Sequence, residues 1–250
     1  AYTYGGIISG SGAVNQTGSG VTTLTGVSPG FSGTATVNAG TLAVNGTLGN
    51  GAASVIVNSS GTLGGIGTVA GQVAVNAGGT LAAGNPLGTL NVGGNLTLAA
   101  NATALFELGA PGVVGGGGND LVRVGGNLSI DNAGRLALQT NAGGQIASGY
   151  YTLFDVSGTT AAGRFGTVTN GGANATADVA QIVTNGGNAP AQYNVLLASN
   201  GQGVQFWDGT NRTANGVVDG GAGTWNAADT NWTTVDGAIN DQWRGQAGVF

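Results

Sequence analysis

The amino-acid sequence predicts an all-β chain wound as a parallel β-helix, a solenoid in which each turn of the chain stacks on the one before it. Three observations support this prediction: a motif that recurs about every 20 residues, strand-like alternation within each repeat, and corners built from asparagine and glycine. Glycine supplies 53 of the 250 residues, a content that would indicate disorder in a chain without periodicity. The repeat therefore decides between a solenoid and an unfolded chain.

The repeated motif has the form V-N-x-(x)-G-T-L and begins at Val37, Val57 and Val75. The first two copies start 20 residues apart and the next two 18 residues apart, which is about one turn of a parallel β-helix. We expect the three valines to stack in one inward column. A second inward column is expected from the leucines that end the motifs, Leu42, Leu63 and Leu81.

Alternation and corner residues explain how one repeat folds. Segments such as Thr34–Val37 and Thr41–Val44 have the period-2 pattern of a half-buried strand. Asparagine tolerates the left-handed conformation and can bond to the asparagine one turn above, and glycine adopts a positive φ without steric cost. The inward valines and leucines then form a continuous core.

A second repeat is longer than the first. The segment Val92–Leu98 returns as Val124–Ile130, 32 residues later, and most of the extra length is the glycine-rich run Gly109–Asp120. We expect one coil to carry this run as an insertion on one face.

The composition changes near residue 207. All four tryptophans and five of the nine aspartates lie between Trp207 and Phe250. We therefore expect residues 1–206 to form the β-helical repeats, with the glycine-rich insertion near 109–120. Residues 207–250 are expected to start a further Trp- and Asp-rich β-helical repeat that is cut short.

Charge and residue types exclude several functions. The net charge is −5, and no charged side chain precedes Glu107, so the basic surface that binds nucleic acid is missing. No apolar run of about 18 residues is present, and we expect no direct membrane insertion. Cysteine and histidine are both absent, which excludes disulfides, thiolate ligands and the usual serine and cysteine nucleophile systems.

Two glycine-rich motifs resemble ligand sites. Gly115–Val122 fits one copy of a calcium-binding repeat, but such sites need tandem copies and no second copy follows, which favours a single glycine-rich turn. Gly65–Ala70 fits the G-x-G-x-x-A dinucleotide fingerprint, but no helical pattern follows it, which favours a coil corner. We expect neither a metal nor a cofactor.

The acidic C-terminal segment allows two interpretations. Its carboxylates are interleaved with tryptophans and two arginines, in the set Asp208, Asp219, Asp229, Asp236, Asp241, Trp207, Trp225, Trp232, Trp243, Arg212 and Arg244. Exposed tryptophans could stack on sugar rings while two carboxylates act as acid and base. Alternatively, the aspartates form turns and the tryptophans anchor a core. We favour the second interpretation, and expect no catalytic residue and no enzyme.

Several segments resemble autotransporter passenger domains. The run GFSGTATVNAGTLAVNGTL at residues 30–48 resembles the passenger-associated β-strand repeat, and residues 61–98 look like the segment that usually follows it. The runs NDLVRVGGNLSI at 119–130 and YYTLFDVSG at 150–158, and the block from Trp207 to Trp232, match the family further. The resemblance covers nearly the whole chain. It implies an all-β, right-handed parallel β-helix (solenoid).

The same resemblance implies a function and a location. Passengers of this kind are exported across the outer membrane and are displayed at the cell surface or secreted, in proteins associated with adhesion and virulence. The parent protein would carry a C-terminal outer-membrane barrel that lies outside this sequence. The implied role is a structural stalk or an adhesin-like interaction surface, whose partners are host-cell or neighbouring-cell surface molecules, including glycans. The alternative is a polysaccharide-active β-helix enzyme or a carbohydrate-binding module that uses the Trp- and Asp-rich C-terminal segment.

Overall fold

A computed structural model describes most of the chain. The described residues are 1–84, 87–140, 146–147, 149–158, 161–171, 179–184, 191–197, 204–213, 215–226, 228–233, 240–243 and 247–250. Over these ranges the secondary structure consists of β-strands and turns. The same ranges contain no helix with the length and apolar character needed to cross a membrane.

The strands are short, as the alternating segments predict. In chain order they are β1 (Tyr2–Tyr4), β2 (Ala13–Gln16), β3 (Val21–Leu24), β4 (Val27–Ser28), β5 (Thr34–Val37), β6 (Gly40–Val44), β7 (Thr47–Leu48), β8 (Ser54–Val57), β9 (Gly61–Gly65), β10 (Thr68–Val69), β11 (Gln72–Val75), β12 (Thr80–Ala83), β13 (Thr89–Val92), β14 (Leu96–Leu98), β15 (Thr103–Leu108), β16 (Leu121–Val124), β17 (Leu128–Ile130), β18 (Arg135–Thr140), β19 (Gly149–Val156), β20 (Ala161–Ala162), β21 (Thr167–Asn170), β22 (Val179–Thr184), β23 (Ala191–Leu197), β24 (Val204–Trp207), β25 (Trp232–Thr233), β26 (Asn240–Asp241) and β27 (Ala247–Val249).

Three sheets run along the solenoid, and successive coils add one strand to each. The first sheet has the order β1-β3-β6-β9-β12-β15-β18-β21, and the second has the order β2-β5-β8-β11-β14-β17-β20. The third runs β4-β7-β10-β13-β16-β19 and ends in β23 and β22. Neighbouring strands are parallel in all three sheets up to β19. The predicted parallel β-helix is therefore confirmed.

Both predicted inward columns are present. Val57 pairs with Val37 on one side and with Val75 on the other, and each is essentially inaccessible to solvent. The leucine column runs in the same way through Leu42, Leu63 and Leu81. Equivalent residues of successive repeats stay in register because any shift by one residue would turn the buried face outward.

The corners use the residue types that the sequence indicated. The Asn58 side-chain amide donates to Oδ1 of Asn38 and accepts from the Asn76 amide, both at 2.8 Å. Gly65 has a φ of +113°, and a Cβ added there would lie 2.2 Å from the carbonyl oxygen of Val44. Gly65 ends β9 just before the turn to β10, so the match to the dinucleotide fingerprint is a coil corner.

The longer repeat also stacks as predicted. Val92 pairs with Val124 in the third sheet, and Leu98 pairs with Ile130 in the second. The glycine-rich run between them leaves the coil after β15 and returns before β16. The insertion is thus carried by one coil without disturbing the register of its neighbours.

Coil-by-coil parallel stacking in the third sheet ends at β19. Strand β23 pairs antiparallel with β19, and β22 pairs antiparallel with β23. Four aromatic rings fill the interior at this point, with centroids 5.1–6.4 Å apart: Phe106, Phe154, Phe165 and Tyr193. An antiparallel pair of strands therefore closes the third sheet over an aromatic core.

The C-terminal residues form a separate four-stranded sheet with the order β26-β25-β24-β27. Strand β24 pairs antiparallel with β25 and parallel with β27. The boundary at residues 206 and 207, and the assignment of the last segment to a further β-helical repeat, stay predictions.

Candidate functional site

The outward faces of the solenoid carry rows of hydroxyl groups. On the first sheet, one half-buried threonine per coil forms a row through Thr41, Thr62, Thr80 and Thr103. On the second sheet, the Thr34 and Ser54 hydroxyls lie 2.9 Å apart in one hydrogen bond. No charged side chain interrupts the first 106 residues, so these coils present an uncharged polar surface.

The glycine-rich insertion is held in place by Asn119. This fully buried side chain accepts hydrogen bonds from the backbone N–H of Gly109 and Ala110, and its amide donates to the carbonyls of Ala110 and Val113. Four bonds from one amide fold the loop back on itself. Asn119 thus has the role of a turn residue.

Asp120, the acidic residue of the calcium-like motif, is 1% exposed. Its two carboxylate oxygens accept the backbone N–H of Gly88 at 3.0 Å and of Glu107 at 2.8 Å. Within the described ranges, no three acidic side chains come together as metal ligands would. The contacts join two neighbouring coils, because Gly88 precedes β13 and Asp120 precedes β16, which stacks on β13. The absence of calcium binding stays a prediction.

The environment of Asp120 perturbs its proton affinity. Burial raises the pKa of Asp120 to about 7, and the negative charge of Glu107 adds to this rise, while the two backbone donors oppose it. Burial also raises the pKa of Glu107. Sequence reasoning did not identify this pair of carboxyl groups, because 13 residues separate them and no motif connects them.

Asp208 and Asp219 are part of the turn structure of the C-terminal segment. The buried carboxylate of Asp208 accepts the backbone N–H of Asp219 at 2.7 Å and the side-chain amide of Asn240 at 2.8 Å. Asp219 is exposed, and its carboxylate accepts the side-chain amides of Asn211 and Asn215. Both aspartates therefore order the loop that joins β24 to β25.

Asp229 has a charged partner. Its Oδ2 lies 2.7 Å from Nη2 of Arg212 and 2.7 Å from the side-chain amide of Asn226. Asp236 and Arg244 lie outside the described residues, as does the side chain of Asp241. The described carboxylates are bonded to donors of the C-terminal segment itself, which favours the turn interpretation over an acid–base pair.

The tryptophans divide into buried and exposed rings. Trp207 and Trp232 are buried with centroids 5.3 Å apart, and Trp243 packs 4.5 Å from Trp232. Trp225 is 57% exposed and makes T-shaped contacts with Trp232 and Trp243 of this cluster. Two of the four therefore anchor a core, as the preferred interpretation expects, and Trp225 leaves an aromatic surface open to solvent.

The fold and its repeat together define the class of the protein: a parallel β-helix solenoid. The chain is 39% identical over 273 aligned residues to the "Adhesin BmaC autotransporter" of Brucella suis biovar 1 (strain 1330). The alignment covers 95% of this chain and 7% of that protein, so the chain spans only a small part of the length of this relative. No protein-family model matches the chain. The similarity confirms the predicted resemblance to autotransporter passenger segments.

Proposed function

We propose that the chain is a segment of a cell-surface passenger that acts as a structural stalk or as an adhesin-like interaction surface. The observation that carries the proposal is the continuous stack of three sheets with an uncharged polar exterior. The similarity to an adhesin over 95% of the chain supports the same role.

A stalk needs length and stiffness. At ~4.8 Å per coil, the eight strands of the first sheet extend about 35 Å along the axis. Each coil is hydrogen-bonded to the coils before and after it in all three sheets, so bending requires many bonds to change together. The inward side chains pack in the core, and the outward side chains are free to contact other molecules.

An adhesive surface of this kind would bind through many weak contacts at once. A single hydroxyl or amide contact with a cell-surface molecule is weak, but repeated contacts raise the overall affinity when many copies bind together. The partners we propose are molecules of host or neighbouring cells, including glycans, and the location is the outer face of the outer membrane after export. The chain would perform this role without catalysis.

Display density distinguishes adhesion from a spacer role. The chain is coupled to beads at high and low density, and adhesion to cells and to extracellular matrix is compared with binding by the soluble monomer. Adhesion that rises steeply with density supports the adhesin role. If the beads adhere at neither density, the spacer role remains.

The same preparation tests the enzymatic alternative. The monomer is incubated with a panel of polysaccharides, next to the variants Asp219→Asn and Asp229→Asn, which keep the size of each side chain. We expect no turnover by any of the three proteins. Turnover of a glycan that either substitution abolishes would refute the non-enzymatic role.

A further inference from the structure

Two asparagine–glycine pairs flank β7, and the fold holds them differently. Asn45 and Gly46 come directly before the strand, and Asn50 and Gly51 follow it after one further glycine. In such a pair the backbone nitrogen of the glycine can attack the side-chain amide of the asparagine, because glycine has no Cβ to obstruct the approach. The surroundings of each pair therefore decide whether this reaction proceeds.

The first pair is fixed between neighbouring coils. The backbone N–H of Gly46 donates to the carbonyl of Leu24 at 2.9 Å, and the Asn45 side-chain oxygen accepts the backbone N–H of Ile66 at 3.2 Å. A Cβ added at Gly46 would lie 2.2 Å from the carbonyl oxygen of Gly26, so this glycine lies directly against the preceding coil. The Gly46 nitrogen cannot turn towards the side chain of Asn45 unless these contacts break.

The second pair lies in an exposed turn. The backbone N–H of Ala53 donates to the carbonyl of Asn50 at 2.9 Å and closes a turn with Gly51 and Ala52 at its tip. Gly51 is exposed, and beyond its chain neighbours no atom lies within 4 Å of the position that its Cβ would take. Over the described part of the chain, no acceptor bonds to the N–H of Gly51. The nitrogen that would attack is therefore open to solvent.

The side chain of Asn50 is held beside that nitrogen. Its Oδ1 accepts the backbone N–H of Ala52 at 2.9 Å, which folds the side-chain carbonyl over the backbone that contains the Gly51 nitrogen. The same N–H would stabilise the negative charge that develops on Oδ1 when the carbonyl carbon is attacked. Nδ2, the departing nitrogen, donates a long hydrogen bond of 3.3 Å to the Pro29 carbonyl. The turn thus brings together the nucleophile, the carbonyl group and a stabilising donor.

Two other described pairs lack this combination. Gly171 donates its backbone N–H to the carbonyl of Leu138 at 2.7 Å, so its nitrogen is bonded as that of Gly46 is. At Asn215 the side-chain amide donates to the carboxylate of Asp219 at 2.9 Å, and a charged acceptor holds the departing nitrogen more strongly than a carbonyl does. Two more pairs, at 185–186 and 200–201, lie outside the described residues.

We propose that Asn50 is a site of spontaneous deamidation, a covalent modification of the chain that requires no enzyme. The Gly51 nitrogen loses its proton to hydroxide and bonds to Cγ of Asn50, the Cγ–Nδ2 bond breaks, and Nδ2 takes up a proton from water and leaves as ammonia. Water then opens the resulting succinimide ring to aspartate or isoaspartate. Each converted molecule gains a carboxylate in a region that has no charged side chain before Glu107, which lowers the net charge of −5 by one unit. This inference is independent of the stalk and adhesin roles.

The first test compares the two pairs that flank β7 within one molecule. The folded chain is incubated at mildly alkaline pH, digested with pepsin in acid to stop the reaction, and analysed by tandem mass spectrometry, which distinguishes acid from amide at each position. We expect Asn50 to convert at least about tenfold faster than Asn45, because Gly46 must first lose a hydrogen bond and its packing. In urea the two should convert at similar rates. Similar rates in the folded chain, or conversion of Asn50 only after unfolding, would overturn the proposal.

The attacking nitrogen is tested with a matched pair of glycine variants. Gly51→Ala places a methyl group next to the nitrogen, and Gly20→Ala adds the same group at another exposed glycine with open space around it. We expect Gly51→Ala to slow conversion of Asn50 about tenfold and Gly20→Ala to leave the rate unchanged, with circular dichroism confirming that both fold. An unchanged rate in Gly51→Ala would show that the Gly51 nitrogen does not attack.

The products distinguish the cyclic route from simple hydrolysis of the amide. Opening of the succinimide ring gives isoaspartate as well as aspartate at position 50, whereas direct attack by water on the Asn50 side chain gives aspartate alone. Electron-transfer fragmentation of the peptide that contains this position separates the two isomers. We expect both in the converted fraction. Aspartate without isoaspartate would exclude the ring and overturn the assignment of the Gly51 nitrogen.

Discussion

Replacing Val57 with aspartate tests the inward valine column at its centre. Val57 is 0% exposed and lies between Val37 and Val75 in a region without any charged side chain. Removing the valine from the core costs about 2 kcal/mol, and burying a carboxyl group without a partner adds about 3 kcal/mol. We therefore expect Val57→Asp to lower the free energy of unfolding by about 5 kcal/mol, a large part of the stability of an ordinary domain.

Ile56→Asp is the matched control for this substitution. Ile56 is the preceding residue of the same strand, is only half-buried, and pairs on the outer face with Thr36 and Ala74. A carboxylate there keeps access to water, and the loss of strand preference and partial packing should cost about 1 kcal/mol. The two substitutions are chemically alike and differ in the face they occupy.

Urea unfolding followed by circular dichroism measures the difference. With a slope near 3 kcal/mol/M, the urea midpoint of Val57→Asp should fall by about 1.7 M, while that of Ile56→Asp should move by about 0.3 M. If Val57→Asp unfolds at the same urea concentration as the parent, the valine does not occupy an uncharged core. Equal shifts for the two variants would contradict the alternation of faces along the strand.

Three further predictions concern the insertion and the corners. Because both oxygens of Asp120 accept backbone hydrogen bonds, titration with Ca²⁺ should leave the melting temperature unchanged, and a saturable rise would refute this. The raised pKa of Asp120 means that the folded state binds the carboxyl proton more tightly than the unfolded state does. The protonated carboxyl therefore stabilises the fold fully below pH ~4, and this contribution is lost as the pH rises through about 7, by as much as ~4 kcal/mol. Asp120→Asn should flatten the dependence of the unfolding free energy on pH. Gly65→Ala should destabilise the chain by about 2 kcal/mol or more in thermal melts because its Cβ would meet the Val44 carbonyl, whereas Gly51→Ala, with open space around it, should change little.

The repeat explains why the coils could be predicted in detail. Val37, Val57 and Val75 occupy the same place in three copies of one motif, and stacking of equivalent residues is the arrangement that buries all copies at once. The asparagines that follow two of these valines, Asn38 and Asn58, were expected to bond between turns for the same reason, and they do. Because the motif recurs once per coil, its spacing in the sequence predicts which residues of neighbouring coils contact each other.

The repeat does not predict the hydrogen-bond partners of Asp120 or the burial of the tryptophans. The motif around Asp120 indicated a turn, but the groups its carboxylate binds come from Gly88 and Glu107, which belong to other segments. Composition drew attention to the tryptophans, and only packing separates buried Trp232 from exposed Trp225. Such contacts depend on which segments the fold brings together, and no repeat relates them.

The sequence by itself determined the parallel coils, their core columns and the corners, because each coil repeats the pattern of its neighbour. Tertiary structure decided how the solenoid ends: the antiparallel pairing of β22 and β23 and the separate C-terminal sheet. A strand at the end of a stack has a neighbour on one side only. The position of its other edge therefore depends on the packing of non-repeating segments such as the aromatic cluster around Phe154 and Tyr193, and no period in the sequence specifies that packing.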